Sequence, residues 1–176
     1  MTHGLSLIAP LLLAVAVIAA FIDVRSRRIP NWLSLSAFLA GLIVHGVGGP
    51  SGIVDALLGC GLALMIYVPL FALQALGAGD VKLMAALGTI LGPLAWLWVF
   101  VATCLVGGVL AVVAAVSRKN LHATVWNTFH LLQCLTRFES PSRRHPELSA
   151  RQAGSATMPH ALSIAVAACL YVVLPH

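Results

Sequence analysis

Charge is scarce in this 176-residue chain. Only 9% of its residues are Asp, Glu, Lys or Arg, while 60% are hydrophobic and the mean hydropathy is +1.00. A soluble domain holds about 25% charged residues, so this composition excludes an ordinary soluble domain. Intrinsic disorder is excluded as well, because so much apolar surface does not stay solvated. The four cysteines stand at 60, 104, 134 and 169 with no CxxC pair, which excludes a zinc ribbon and a disulfide framework. Three of them sit in apolar stretches and read as buried packing thiols. No Lys or Arg precedes Arg25, so the basic n-region of a secretory signal is missing. The seven histidines include no HExxH. His122 and His130 read as interfacial or solvated side chains rather than ligands. A phosphate-cradling loop is also absent, since Gly77-Ala-Gly-Asp-Val-Lys82 lacks the required spacing. No metal or organic cofactor is expected.

What the chain has instead is apolar runs long enough for lipid. The first runs from Leu5 to Ile22 and ends in DVRSRRIPN, where Pro30 biases Ile29 away from helix. A second run covers about Trp32 to Val44, followed by a Gly- and Pro-rich turn from His45 to Gly52. The third covers about Ile53 to Leu76 and ends in GAGD. From Val81 to Leu91 the chain offers only about 16 Å of helix, too short for the bilayer core. This fourth span must be tilted or re-entrant and sheltered by its neighbours. Gly92 and Pro93 break it, and a fifth span follows from about Ala95 to Val116. The polar stretch 118–157 places Leu121, Val125, Phe129 and Leu132 at helical spacing, as an interfacial amphipathic helix does. The last span covers about Met158 to Leu174. The expected fold is an all-α membrane bundle of six transmembrane helices in one domain, 1–176.

The cations orient it. Arg25, Arg27 and Arg28 lie in the first connection, Lys82 just after the third, and Arg118, Lys119, Arg137, Arg143, Arg144 and Arg151 in the fifth. All ten fall on one side, which the positive-inside rule makes cytoplasmic. Both termini then lie outside the cytoplasm. Trp32 is placed at the inner interface, and Trp96 and Trp98 near the outer one. The basic fifth connection meets anionic headgroups rather than nucleic acid.

Five acids remain to be explained. Asp23 closes the first span and Asp80 opens the fourth, both at the cytoplasmic edge. Two carboxylates that share a site hold one proton between them. Such a pair suits peptide hydrolysis: the ionised acid takes a proton from water while the neutral one polarises the scissile carbonyl. Simpler roles stand beside this one, Asp23 as a partner of the following arginines and Asp80 as a helix N-cap. Gly77 and Gly79 allow a sharp turn and close approach. Lys82 reads as a charge partner or a snorkelling side chain. Asp55 falls on the outer side and reads as a cap of the third span. Ser51, within Gly-Pro-Ser-Gly, and His160 lie a membrane apart and do not pair. A proton- or cation-coupled transporter or channel is the main alternative, but it wants acids near mid-membrane.

DVRSRRIPN (Asp23 to Asn31) followed by GAGDVKLMAALG (Gly77 to Gly88) resembles the prepilin peptidase family, polytopic GxGD-type aspartic proteases that cut the leader from type IV prepilins. The resemblance runs from about Leu5 to Leu174, and MPHAL (Met158 to Leu162) is similar to the family's Pro-containing start of the final helix. It implies a catalytic pair of Asp23 and Asp80, supported by Pro30, Asn31, Gly77, Gly79 and Lys82, in a mechanism shared with presenilin-like proteases. It also implies a multi-pass protein of the bacterial inner membrane, its active site facing the cytoplasm, with prepilins or pseudopilins as substrates and pilus-assembly proteins as further partners. Longer members carry a cytoplasmic insert with paired CxxC motifs, linked to N-methylation. This chain has none, so peptidase activity without methylation is expected, as in the short forms serving tight-adherence (Flp-type) pili. A catalytically silent assembly scaffold would not need intact Asp23 and Asp80.

Overall fold

A computed structural model of the chain describes residues 2–26, 29–72, 76–117 and 160–173, and among them the regular structure is entirely helical. The amphipathic segment expected over 118–157, with His122, His130 and Cys134, lies outside the described residues. The helices are α1 (Thr2–Ser26), α2 (Asn31–Gly46), α3 (Pro50–Ala72), α4 (Ala78–Ser117) and α5 (His160–Val173). Three stretches are long and apolar enough to cross a membrane, Leu7–Ser26, Pro50–Ala72 and Ala78–Val113, while Asn31–Gly46 and Ala161–Val173 are shorter apolar helices.

Side-chain size separates inside from outside. The buried face of α1 is Leu12, Val15, Ala16 and Ala19, and that of α5 is Ala161, Ile164, Ala165 and Ala168, each at helical spacing. Small residues dominate these contacts and let the helices approach closely, the packing mode that works where lipid is the solvent. Large apolar side chains point outward, among them Phe21, Leu35, Ile43, Met65, Leu105 and Val109. Such a surface is untenable in water and ordinary in a bilayer. The chain is an integral membrane protein.

Helix α3 packs mainly on α4, and α1 on α5. The α3–α4 crossing is a glycine-to-glycine contact. A Cβ on Gly59 would collide with the backbone carbonyl of Gly88, and a Cβ on Gly88 would lie 2.6 Å from the carbonyl carbon of Gly59. Gly41 of α2 meets α4 in the same way, its missing Cβ leaving room for Thr89 and the Ile90 amide.

Helix α4 is broken at Gly92, whose φ of 73° and ψ of 176° are not helical. The conformation suits glycine, and Pro93 could not have continued the hydrogen-bond ladder. The two arms double back on each other. In one straight helix Trp96 would stand about 18 Å from Met84, yet its indole Nε1 donates to the Met84 carbonyl at 3.0 Å. The sequence had placed Trp96 at the outer interface. It is fully buried, its one polar atom meeting a backbone acceptor within the hairpin, whereas Trp98 and Trp32 are exposed.

The turn expected over His45 to Gly52 is shorter in the structure. Helix α2 runs through Gly46, and α3 starts at Pro50 just after Gly49, which adopts a φ of 85°. Proline is well suited to a first helical position. The early start puts Asp55 in the second turn of α3, exposed, where it caps nothing. The cysteines also differ from expectation: Cys60 is half-buried, while Cys104 and Cys169 are exposed on the apolar surface.

The end of the first α4 arm leaves backbone carbonyls without helical donors. His45 supplies one, its Nε2 donating to the Ile90 carbonyl at 3.0 Å. Replacing His45 by Ala is expected to cost about 1 kcal/mol and to lower the unfolding midpoint in detergent, with His45→Gln losing less because it keeps a donor.

Candidate active site

One end of the bundle gathers the C-terminus of α1 and the N-termini of α2, α4 and α5. Among the described residues, the hydrogen bonds that join them involve residues of the two motifs. Asp23 lies in the last turn of α1, half-buried, and its Oδ2 accepts a hydrogen bond from the backbone amide of Ala161 at 3.2 Å, across 138 residues of sequence. The first amides of any helix lack internal acceptors, and a carboxylate there also meets the positive end of the helix dipole. Asp23 therefore anchors the start of α5 to the end of α1.

Asp80 is also half-buried at a helix N-terminus, that of its own helix. Gly77 sits at the cap position, its carbonyl accepting from the amides of Asp80 (3.1 Å) and Val81 (3.4 Å). Asp80 is the third residue of α4, and its Oδ2 accepts from the Gly77 amide at 3.3 Å. This is the reaching-back half of a capping box, so Asp80 stands three residues inside the helix rather than at the N-cap. Gly77 lacks a side chain where a Cβ would come 3.3 Å from Asp80 Oδ2.

The two motifs touch directly. Gly79 faces Ile29, and a Cβ on Gly79 would lie 3.2 Å from the Ile29 Cβ. Lys82 Nζ donates to Asn31 Oδ1 at 2.9 Å, on the exposed side. Pro30 precedes α2 in extended conformation, φ −70° and ψ 143°, and its carbonyl accepts from the Leu33 amide. All the sequence-predicted residues, Asp23, Pro30, Asn31, Gly77, Gly79, Asp80 and Lys82, thus lie at this end. Asp55 lies at the other, its carbonyl beside Gly92. Ser51 is there too, in the first turn of α3, while α5, which His160 begins, starts beside Asp23.

Sequence reasoning missed two participants. Tyr67 of α3 is buried within electrostatic reach of both Asp80 and Cys104. It packs edge-on against Trp96 (ring centroids 6.3 Å apart) and Phe100 (5.9 Å), which stack on each other at 5.3 Å. A tyrosine in an apolar span was the only available signal. The Ala161 amide had none, because a backbone group carries no mark in the sequence.

A helical membrane protein with two aspartates at one end of its bundle, each accepting a helix N-terminal amide, is the class this fold and site define. The profile of the Type IV leader peptidase family matches residues 10–112, a stretch containing both acids. The chain is 32% identical over 131 residues to a prepilin leader peptidase/N-methyltransferase of Aeromonas salmonicida, covering 68% of this chain and 44% of that protein. It is 33% identical over 125 residues to the protein of the same name from Aeromonas hydrophila, covering 65% and 42%. The chain belongs to the type IV leader peptidase family and spans less than half the length of these curated relatives. No solved structure matches it.

Proposed function

We propose that the chain is a prepilin leader peptidase that uses Asp23 and Asp80 as its catalytic pair. The observation that carries this is the meeting of the two motifs at one end of the bundle, with Ile29 on Gly79 and Asn31 on Lys82. In the reaction, one carboxylate takes a proton from water and the hydroxide attacks the scissile carbonyl carbon. The other, protonated, carboxyl donates to the carbonyl oxygen, and collapse of the tetrahedral intermediate returns a proton to the departing amine. Because the pair works with one proton, cleavage falls off both where the two acids are ionised and where both are protonated.

The topology proposed for residues 1–176 is a single domain of six spans in the bacterial inner membrane, both termini outside and the acids toward the cytoplasm. The ten cations support it by their segregation. Substrates are prepilins or pseudopilins of the Flp type, whose apolar helix stays in the membrane while the leader is cut at the cytoplasmic face. These 176 residues contain no CxxC pair, and leader removal without methyl transfer is the reaction assigned to them.

Co-expression with a Flp-type prepilin tests the proposal. The new pilin N-terminus, read by mass spectrometry in a host lacking other prepilin peptidases, is expected to be leader-free and unmethylated. An intact leader across a panel of prepilins, with the protein inserted, overturns the peptidase assignment. A methylated terminus overturns only the restriction to cleavage.

A further inference from the structure

The two motifs are joined by a pair of contacts that the cleavage chemistry itself does not require. Lys82 Nζ donates to Asn31 Oδ1 at 2.9 Å, bridging 51 residues of sequence. One helical turn earlier, Gly79 lies so close to Ile29 that only glycine fits without displacing it. Residues 79 and 82 are neighbours on one side of the first α4 turn, and Asp80 lies between them in the chain. On the other partner, Ile29 and Asn31 flank Pro30, whose ring holds the backbone extended.

These contacts shorten the path between the acids. Along the chain, Asp23 and Asp80 are separated by the whole of α2 and α3. Through the clasp, the route runs from Asp23 over the short α1–α2 connection to Ile29, across to Gly79, and on to the next residue. A short, closed route confines the separation of its ends far more than a long open one. Catalysis by paired groups is sensitive to such confinement, since a misplacement of about 1 Å can cost 100-fold in rate.

We propose, resting on the peptidase assignment above, that Asn31 and Lys82, with the Ile29–Gly79 contact beneath them, are positioning residues that set the distance between Asp23 and Asp80. They act on the geometry of the pair and not on the reacting atoms.

Steady-state cleavage by Asn31→Leu, Lys82→Met, the double variant and Lys82→Arg tests this, with insertion and thermal midpoint checked for each. Each single variant is expected to lower kcat about 10- to 100-fold with KM changed less than about twofold, because a positioning defect spares binding. The double variant should be no worse than the poorer single one, since both remove the same bond. Lys82→Arg, which keeps a donor for Asn31, should retain activity within about threefold of wild type. Multiplying losses, a change confined to KM, or unaltered kcat would each overturn the proposal.

A second measurement does not depend on turnover. Spin labels at Val24→Cys and Ala78→Cys, both exposed positions beside the two acids, in a background with the four native cysteines replaced, report the separation directly. The distance distribution is expected to broaden and lengthen on adding Lys82→Met, and an unchanged distribution overturns the clasp. If wild type cleaves no prepilin, the peptidase assignment fails while this distance still decides the positioning role.

Discussion

Asp80→Asn and Asp23→Asn are each expected to abolish leader cleavage, by a factor on the order of a thousand or more, while leaving the protein folded and inserted. Asparagine is the informative substitution here because it separates chemistry from capping. Its amide oxygen can still accept the hydrogen bond that Asp23 takes from Ala161, and the one that Asp80 takes from Gly77. What it cannot do is hold or release the proton that hydrolysis moves. The alanine variants differ in a way that checks the argument: they lose the cap as well, worth about 1 kcal/mol, and so should show a lower thermal midpoint than the asparagine variants. Cleavage of a prepilin by Asp80→Asn at the wild-type rate would remove Asp80 from the mechanism. Loss of insertion in Asp23→Asn would mean that the acid's main task is structural.

The largest effect on stability is expected from Gly59→Ala and Gly88→Ala. Overpacking of a core costs about 1–3 kcal/mol when side chains can shift. At this crossing the obstacle is the backbone of the opposite helix, Gly88 for one variant and Gly59 for the other, and backbone does not rotate away. Each substitution should therefore cost about 3 kcal/mol, seen as a large fall in folded yield and in the unfolding midpoint in mixed micelles. Gly61→Ala is the control. It lies in the same helix with nothing near the added methyl group, and the helix preference for alanine over glycine, up to about 1 kcal/mol, should leave it neutral or slightly more stable. Equal behaviour of Gly59→Ala and Gly61→Ala would mean that the α3–α4 crossing is looser than the structure has it.

The α3–α4 crossing sets where Asp80 stands. α3 and the first arm of α4 cross at Gly59 and Gly88, and the second arm returns along them through Trp96, Phe100 and Tyr67. Asp80 therefore opens an arm, 78–91, that is buried along most of its length. A helix that short is stable at membrane depth only when other helices cover it, which is the condition the short apolar run from Val81 to Leu91 had already raised.

The membrane class was legible in the sequence because lipid imposes its demand on composition: few charges and long apolar runs need no knowledge of partners. The break at Gly92–Pro93 was legible because both residues act on their own backbone. The residues of the candidate site were legible because acids are costly in lipid and these two stand out, and their resemblance to a family supplied the pairing.

Which face of each helix points inward was not legible. In water the buried and exposed faces differ in polarity, but here both are apolar, and the difference is size: Ala16 and Ala19 inside, Phe21 and Val24 outside. Trp96 and the cysteines were misplaced for the same reason, since nothing local distinguishes a packed apolar position from a lipid-facing one. Asp55 was misread by a few residues of helix boundary. The partners of the acids were beyond sequence altogether. Ala161 offers Asp23 a backbone amide, and Lys82 finds a neutral amide oxygen on Asn31 rather than a carboxylate. Such contacts exist only once helices far apart in the chain begin or end in one place, and the packing of small residues along their lengths, not any local preference, decides that they do.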